Sequence, residues 1–172
     1  SKFSTRTKEF QGNQRIDMNH KTFVKNRRIA RKLVLQVLYE VDCSDHDWEQ
    51  AMSRQSSNLK LSQDASEFAR SILQGVSSEK DHIDDIIAEF APTWPVSQMG
   101  LIDRSLLRMA VCELELDSGS QEKIVINETI ELAKEFGSEN SYRLVNGVLG
   151  SIWDKAKGQQ TIKGNYKVTS GG

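Results

Sequence analysis

Apolar residues in this chain recur at three- and four-residue spacing almost throughout and never alternate for long, which restricts the fold to helices packed on helices. From about Asn26 to Asp42, Ile29, Ala30, Leu33, Val34, Val37, Leu38 and Val41 fill roughly half of a helix circumference. A short helix is expected around Trp48 and Met52. Ser62-Gln63-Asp64 opens another, carrying Phe68, Ala69, Ile72, Leu73 and Val76. Ser78, Glu79 and Asp81 start a fourth, and its Ile83, Ile86, Ile87 and Phe90 run until Pro92 stops the chain. Ile102, Leu106, Met109, Ala110, Val111 and Leu114 define a fifth, ending near Gly119. Val125, Ile126, Ile130, Ala133 and Phe136 define a sixth, with Gly137 expected as a left-handed cap. The last begins near Ser138 and presents Leu144, Val145, Val148, Leu149 and Ile152. The nearest approach to strand alternation, Lys123–Ile126, leads straight into helical spacing. The expectation is an all-α bundle of about seven helices. Trp94 is expected to pack within the connector, and Asn127 and Asn146 to hydrogen-bond between helices. Gly147 and Gly150, costly inside a helix, point to close approach of another helix or of a partner's backbone.

Charge divides the chain more sharply than its net value of −1 suggests. Residues 1–32 hold ten Lys or Arg against only Glu9 and Asp17, whereas the other 140 residues hold 13 basic and 22 acidic side chains. A basic arm on an acidic body makes a directional field, of the kind that seeks nucleic acid or an acidic surface. No lipidation motif, secretory leader or membrane-length apolar run accompanies it, so a membrane is not the expected partner and a cytoplasmic location is. The domain reading is a flexible basic arm over residues 1–26, a helical domain over 27–157 and a polar, glycine-rich tail over 158–172. Cys43 and Cys112 stand alone, with His20, His46 and His82 at no metal-ligand spacing; both are expected to be buried, reduced thiols.

Enzyme readings find no constellation. Gly147-Val148-Leu149-Gly150 lies within helical periodicity and not after a strand, so it is no phosphate loop. There is no nucleophile elbow and no pair of histidines one helical turn apart. Asp81, Asp84 and Asp85 read as a solvated helix start and outer face, and Asp103 with Arg104 as a local ion pair. No catalytic residue, metal or cofactor is assigned.

The helix from residue 25 to 41 has a second face. Arg28, Arg31, Lys32, Leu35 and Tyr39 fall within an arc of about 100° opposite its apolar stripe, three cations with an aromatic ring at their end. Such a surface suits phosphates and an unstacked base; the plainer reading is a solvated charged face.

Three blocks carry a resemblance. They are Arg27-Arg28-Ile29-Ala30-Arg31 through Gln36-Val37-Leu38-Tyr39, Ile102-Asp103-Arg104-Ser105-Leu106-Leu107-Arg108 through Leu114, and Val125-Ile126-Asn127-Glu128-Thr129-Ile130-Glu131-Leu132-Ala133-Lys134-Glu135-Phe136-Gly137, continuing through Leu144-Val145-Asn146-Gly147-Val148-Leu149. Over about residues 27–155 the chain resembles the NusB family of bacterial transcription antitermination factors. The resemblance implies a two-lobed helical fold without enzymatic activity. It also implies pairing with NusE, a small-subunit ribosomal protein, binding of boxA-type single-stranded RNA, and entry into the RNA polymerase antitermination complex during ribosomal RNA transcription. It maps RNA contacts onto Arg27, Arg28, Arg31, Tyr39, Asp103, Glu139, Asn140 and Leu144, and Lys32 and Gln36 complete the set on the first helix. Ile29 stands where a third consecutive arginine is common, and Leu144 where an aromatic can occur. Two other readings stay open. One is the module that precedes the catalytic domain of a ribosomal RNA cytosine methyltransferase, which a methyl-transfer assay would reveal; the other is a protein-only scaffold. Exposed apolar surface also leaves room for a homodimer in the free state.

Overall fold

A computed structural model describes residues 2–116 and 121–166, with side-chain surroundings for 17–116 and 121–159. Among the described residues there are seven α-helices, one 3-10 turn and no strand. They are α1 (Lys2–Cys43), α2 (Trp48–Ser56), α3 (Gln63–Ser78), α4 (Lys80–Phe90), α5 (Leu101–Leu116), α6 (Glu122–Phe136) and α7 (Ser141–Tyr166), with the 3-10 turn at Val96–Gln98.

Two starts follow the capping chemistry, whereas Ser78 ends α3 and Glu79 opens α4 without a side-chain cap. Asp47 accepts from the Gln50 N–H at 3.4 Å to open α2, and the Ser62 hydroxyl accepts from the Ala65 N–H at 3.2 Å to open α3. Both outer helices run further than the apolar pattern indicates. α1 begins at Lys2 instead of near Asn26, and α7 continues to Tyr166 instead of ending near Lys157. Residues 2–24 contain one glycine and no proline and are rich in lysine, arginine and glutamine, so nothing breaks the helix on the N-terminal side of the core. The end of the fifth helix expected near Gly119 lies outside the described residues.

α5 is the central element. It touches α1 and α3 on one side and α4, α6 and α7 on the other, joining an N-terminal lobe (α1–α3) to a C-terminal lobe (α4–α7). One apolar cluster runs through both, from Ala30, Leu33, Val34 and Val37 through Ile72, Leu73 and Leu106 to Val145 and Leu149. Gly75 permits a close approach of α3 to α5: a Cβ there would lie 2.6 Å from the Cys112 Sγ. Cys112 is buried, and burial first, then Glu115 and Glu113, pushes its thiol up to about 11.

Several expectations change. Cys43 is exposed, since it ends α1 beyond the last core turn. Trp94 is exposed as well, because the connector turns on the surface. Asn127 and Asn146 face solvent. Among the described residues Gly147 and Gly150 have nothing within 4 Å of a Cβ position, so no described helix approaches them closely. Gly137 is not left-handed: its φ is −86°. A Cβ there would meet the Ser141 Cβ at 2.4 Å and the Ala133 carbonyl oxygen at 2.6 Å, so close packing explains the glycine. Asp84 is a tie between helices, accepting from Arg108 at 2.7 and 2.9 Å, and Arg104 pairs with Asp42 of α1 and not with Asp103.

Candidate nucleic-acid interface

α1 is covered on more of its circumference than its apolar stripe alone requires, because α2, α3 and α5 all pack against it. This divides the basic face. At its α5 edge, Leu35 is buried and so is Arg31, which donates Nε and a terminal nitrogen to the Glu113 carboxylate at 3.1 and 2.5 Å. Each of the two side chains is only 7% exposed, a paired buried fork, and Arg31 reaches the groove between α1 and α6 only at its edge. Arg31 and Leu35 therefore leave the solvent-facing set. Arg27 turns toward α3: its guanidinium lies 4.0 Å from the Phe68 ring centre and 4.9 Å from that of Phe23, and it pairs with Asp64 at 3.3 Å. That position sets Arg27, mapped with the RNA contacts, on the α1–α3 seam with its side chain 22% exposed.

Arg28, Lys32, Gln36 and Tyr39 remain on the outside, one or two turns apart along a single line. Tyr39 is 41% exposed, an unusual position for an aromatic whose neighbours Val37 and Leu38 are core. Arg28 and Lys32 are not free in the folded chain. Arg28 donates Nε to both Glu128 oxygens at 3.0 Å and places a second nitrogen 2.9 Å from one of them, while Lys32 pairs with Glu135 at 3.0 Å. The hydrogen bond to Glu128 and its charge, aided by Glu131, raise the Arg28 pKa further above its ordinary value. The groove between α1 and α6 thus has cations on one wall and carboxylates on the other.

The line meets two other predicted positions near the end of α6. Lys32 Nζ lies 6.0 Å from the Phe136 ring centre, and Phe136 is 37% exposed. Glu139 and Asn140 follow it in an exposed turn held by the Ser141 hydroxyl, which accepts from the Ser138 N–H at 2.8 Å. Leu144 packs half-buried against the core. Asp103 lies in the first turn of α5, beside the Arg104–Asp42 tie to the C-terminal end of α1, and its Oδ1 is buried without a hydrogen-bond partner. Phe136 was read as core from its spacing. As the last helical residue before Gly137 it lies at the end of α6, where its ring reaches solvent.

With this geometry established, a family model described as the NusB family matches residues 28–154. The chain belongs to the NusB family. It is 44% identical over 128 residues to the transcription antitermination protein NusB of Chloroflexus aggregans, covering 73% of this chain and 85% of that one. It is 38% identical over 146 residues to the NusB protein of Herpetosiphon aurantiacus, covering 83% of this chain and 100% of the relative. Among solved structures, T. maritima NusB aligns with a TM-score of 0.68 at 32% identity, over 73% of this chain and 89% of the other. The NusB-family fold also matches, with a TM-score of 0.68 at 26% identity over 76% and 98% of the two chains, a crystal structure of antitermination factors NusB and NusE in complex with dsRNA. The family span contains Arg28, Lys32, Gln36, Tyr39, Phe136 and the Glu139–Asn140 turn, and excludes Arg27 and everything before it.

Proposed function

We propose that this chain is a transcription antitermination factor that binds boxA-type single-stranded RNA jointly with a NusE-type ribosomal protein. In this reading it joins the RNA polymerase antitermination complex in the cytoplasm and supports ribosomal RNA transcription. The role is assembly and not catalysis. The observation that carries it is the exposed line Arg28–Lys32–Gln36–Tyr39 on a helix inside the family span. Eleven residues of helix separate its ends, about 16 Å at 1.5 Å per residue, so cations and ring lie along one strand of nucleotides. The cations hold phosphates and Tyr39 stacks on a base, while Gln36, Glu139 and Asn140 offer hydrogen bonds to base edges. Asp103 precedes Arg104, which is tied to Asp42, three residues beyond Tyr39 on α1. The acidic body suits a basic ribosomal protein.

A NusB that shares 26% identity with this chain is in a structure with NusE and double-stranded RNA, so the test includes both forms of RNA. Fluorescence anisotropy of the full chain, with and without NusE, should show boxA single strand bound more tightly than a scrambled strand or a boxA duplex, and tighter again with NusE. Equal affinity for boxA and scrambled strands in the presence of NusE would defeat the proposal. A free-state homodimer covering this line would appear in sedimentation as a dimer that boxA dissociates.

A further inference from the structure

We propose that Glu128, Glu131 and Glu135 of α6 set the affinity of the α1 line for single-stranded RNA, because Arg28 and Lys32 must leave carboxylates before they reach phosphates. The inference rests on the RNA reading of α1. A groove of about 400 Å3 separates the two helices, lined on one side by Lys25, Arg28, Lys32 and the edge of the Glu113-bound Arg31, and on the other by the three glutamates. Glu128 is 17% exposed and Arg28 is 59% exposed, so the carboxylate is the fixed member and the guanidinium the one that can swing outward. Glu135 holds Lys32 at 3.0 Å with both partners near half exposure. Glu131 lies between these two on the same face, paired at 3.1 Å with Lys134 and, among the described residues, in no ion pair with a cation of α1. Lys25, exposed at the N-terminal end of the groove, makes no ion pair among the described residues.

The consequence is unequal use of the cations. Lys25 contributes its whole attraction to a phosphate. Arg28 and Lys32 contribute only the difference between a phosphate and the carboxylate each leaves, and the uncovered glutamates then repel the strand. The strip acts on phosphates whatever the sequence, so it weakens binding that relies on the backbone alone. A strand that also stacks on Tyr39 overcomes it.

Exposed ion pairs are worth roughly two- to fivefold in an equilibrium constant. The test measures boxA and scrambled strands by anisotropy on the full chain, comparing the parent with Glu128→Gln/Glu135→Gln and with Arg28→Ala. The double variant should bind both strands about 4- to 25-fold tighter, since the two sites are a helical turn or more apart and their effects multiply. Arg28→Ala should bind both more weakly, and Lys25→Ala should lose more affinity than Lys32→Ala. If Arg28→Ala weakens binding but the double variant binds no tighter, the inference fails and the RNA reading stands. If neither variant changes affinity, the RNA reading falls and takes the inference with it. Thermal melts report whether the double variant is folded. Should it not be, Glu135→Gln alone, between two half-exposed partners, should give about two- to fivefold tighter binding, and unchanged affinity there overturns the inference.

Discussion

Removing Glu113 should destabilise the protein far more than removing any cation on the outer line. Glu113 and Arg31 are each 7% exposed and bound to one another at 2.5 and 3.1 Å. In Glu113→Ala the guanidinium stays in the interior with no counter-charge, a situation that costs about 3–5 kcal/mol. For a chain of this size each kcal/mol moves the melting temperature by roughly 2–4 °C, so the expected fall is roughly 6–20 °C. The double variant Arg31→Met/Glu113→Leu removes both charges and keeps apolar bulk, and should melt near the parent or above it. Far-UV circular dichroism melts measure both, and anisotropy with boxA RNA measures the consequence for binding. The double variant should retain the parent's affinity, because the Arg31 side chain is only 7% exposed and two of its nitrogens are held by Glu113. A double variant that melts like the parent but loses tenfold or more in RNA affinity would refute the reasoning, and would return Arg31 to the RNA-contacting set.

Tyr39→Ala should cost roughly 1–3 kcal/mol of RNA binding with little change in melting temperature, given its exposure; a lowered melt with normal binding would make Tyr39 a packing residue. Gly75→Ala should destabilise by about 1–3 kcal/mol despite the better helix former, since its Cβ would meet the Cys112 Sγ at 2.6 Å, and adding Cys112→Ala should recover most of the loss in the same melt. The Glu40 carboxyl is held down to about 2 by hydrogen bonds from His46 and Gln55 and by Arg54, which ties α1 to the α2 end. A lowered folded pKa stabilises above the unfolded value and is lost as pH falls through the folded one, so the difference in melting temperature between parent and Glu40→Gln should hold above about pH 5 and shrink from about 4.5 toward 2. A difference of the same size at pH 7 and pH 3 would contradict that.

The helices and most of the core were legible because burial leaves a local trace. Val34, Val37 and Leu38, or Ile72 and Leu73, repeat at helical spacing whichever neighbour covers them. What faces the charged side of α1 leaves no such trace. The partner of Arg31 is 82 residues away on α5 and that of Arg28 is 100 residues away on α6. Periodicity placed Arg31, Leu35 and Arg28 on one face, and only the packing of α5 shows that the first two lie on its covered edge. Asp84 misled for the same reason: a carboxylate at a helix surface is solvated or paired according to what lies opposite, here Arg108. The long outer helices were missed on other grounds. Residues 2–24 form helix without an apolar stripe, so apolar periodicity carries no trace of them.

The RNA line itself is best examined by a salt titration of boxA binding with parent and Arg28→Ala/Lys32→Ala chains in the presence of NusE. Two cations on single-stranded phosphates predict weaker binding at every salt concentration and a slope of log affinity against log salt shallower by about 1.4. Identical affinities and identical slopes for the two chains would show that RNA, if it binds, does not lie on α1.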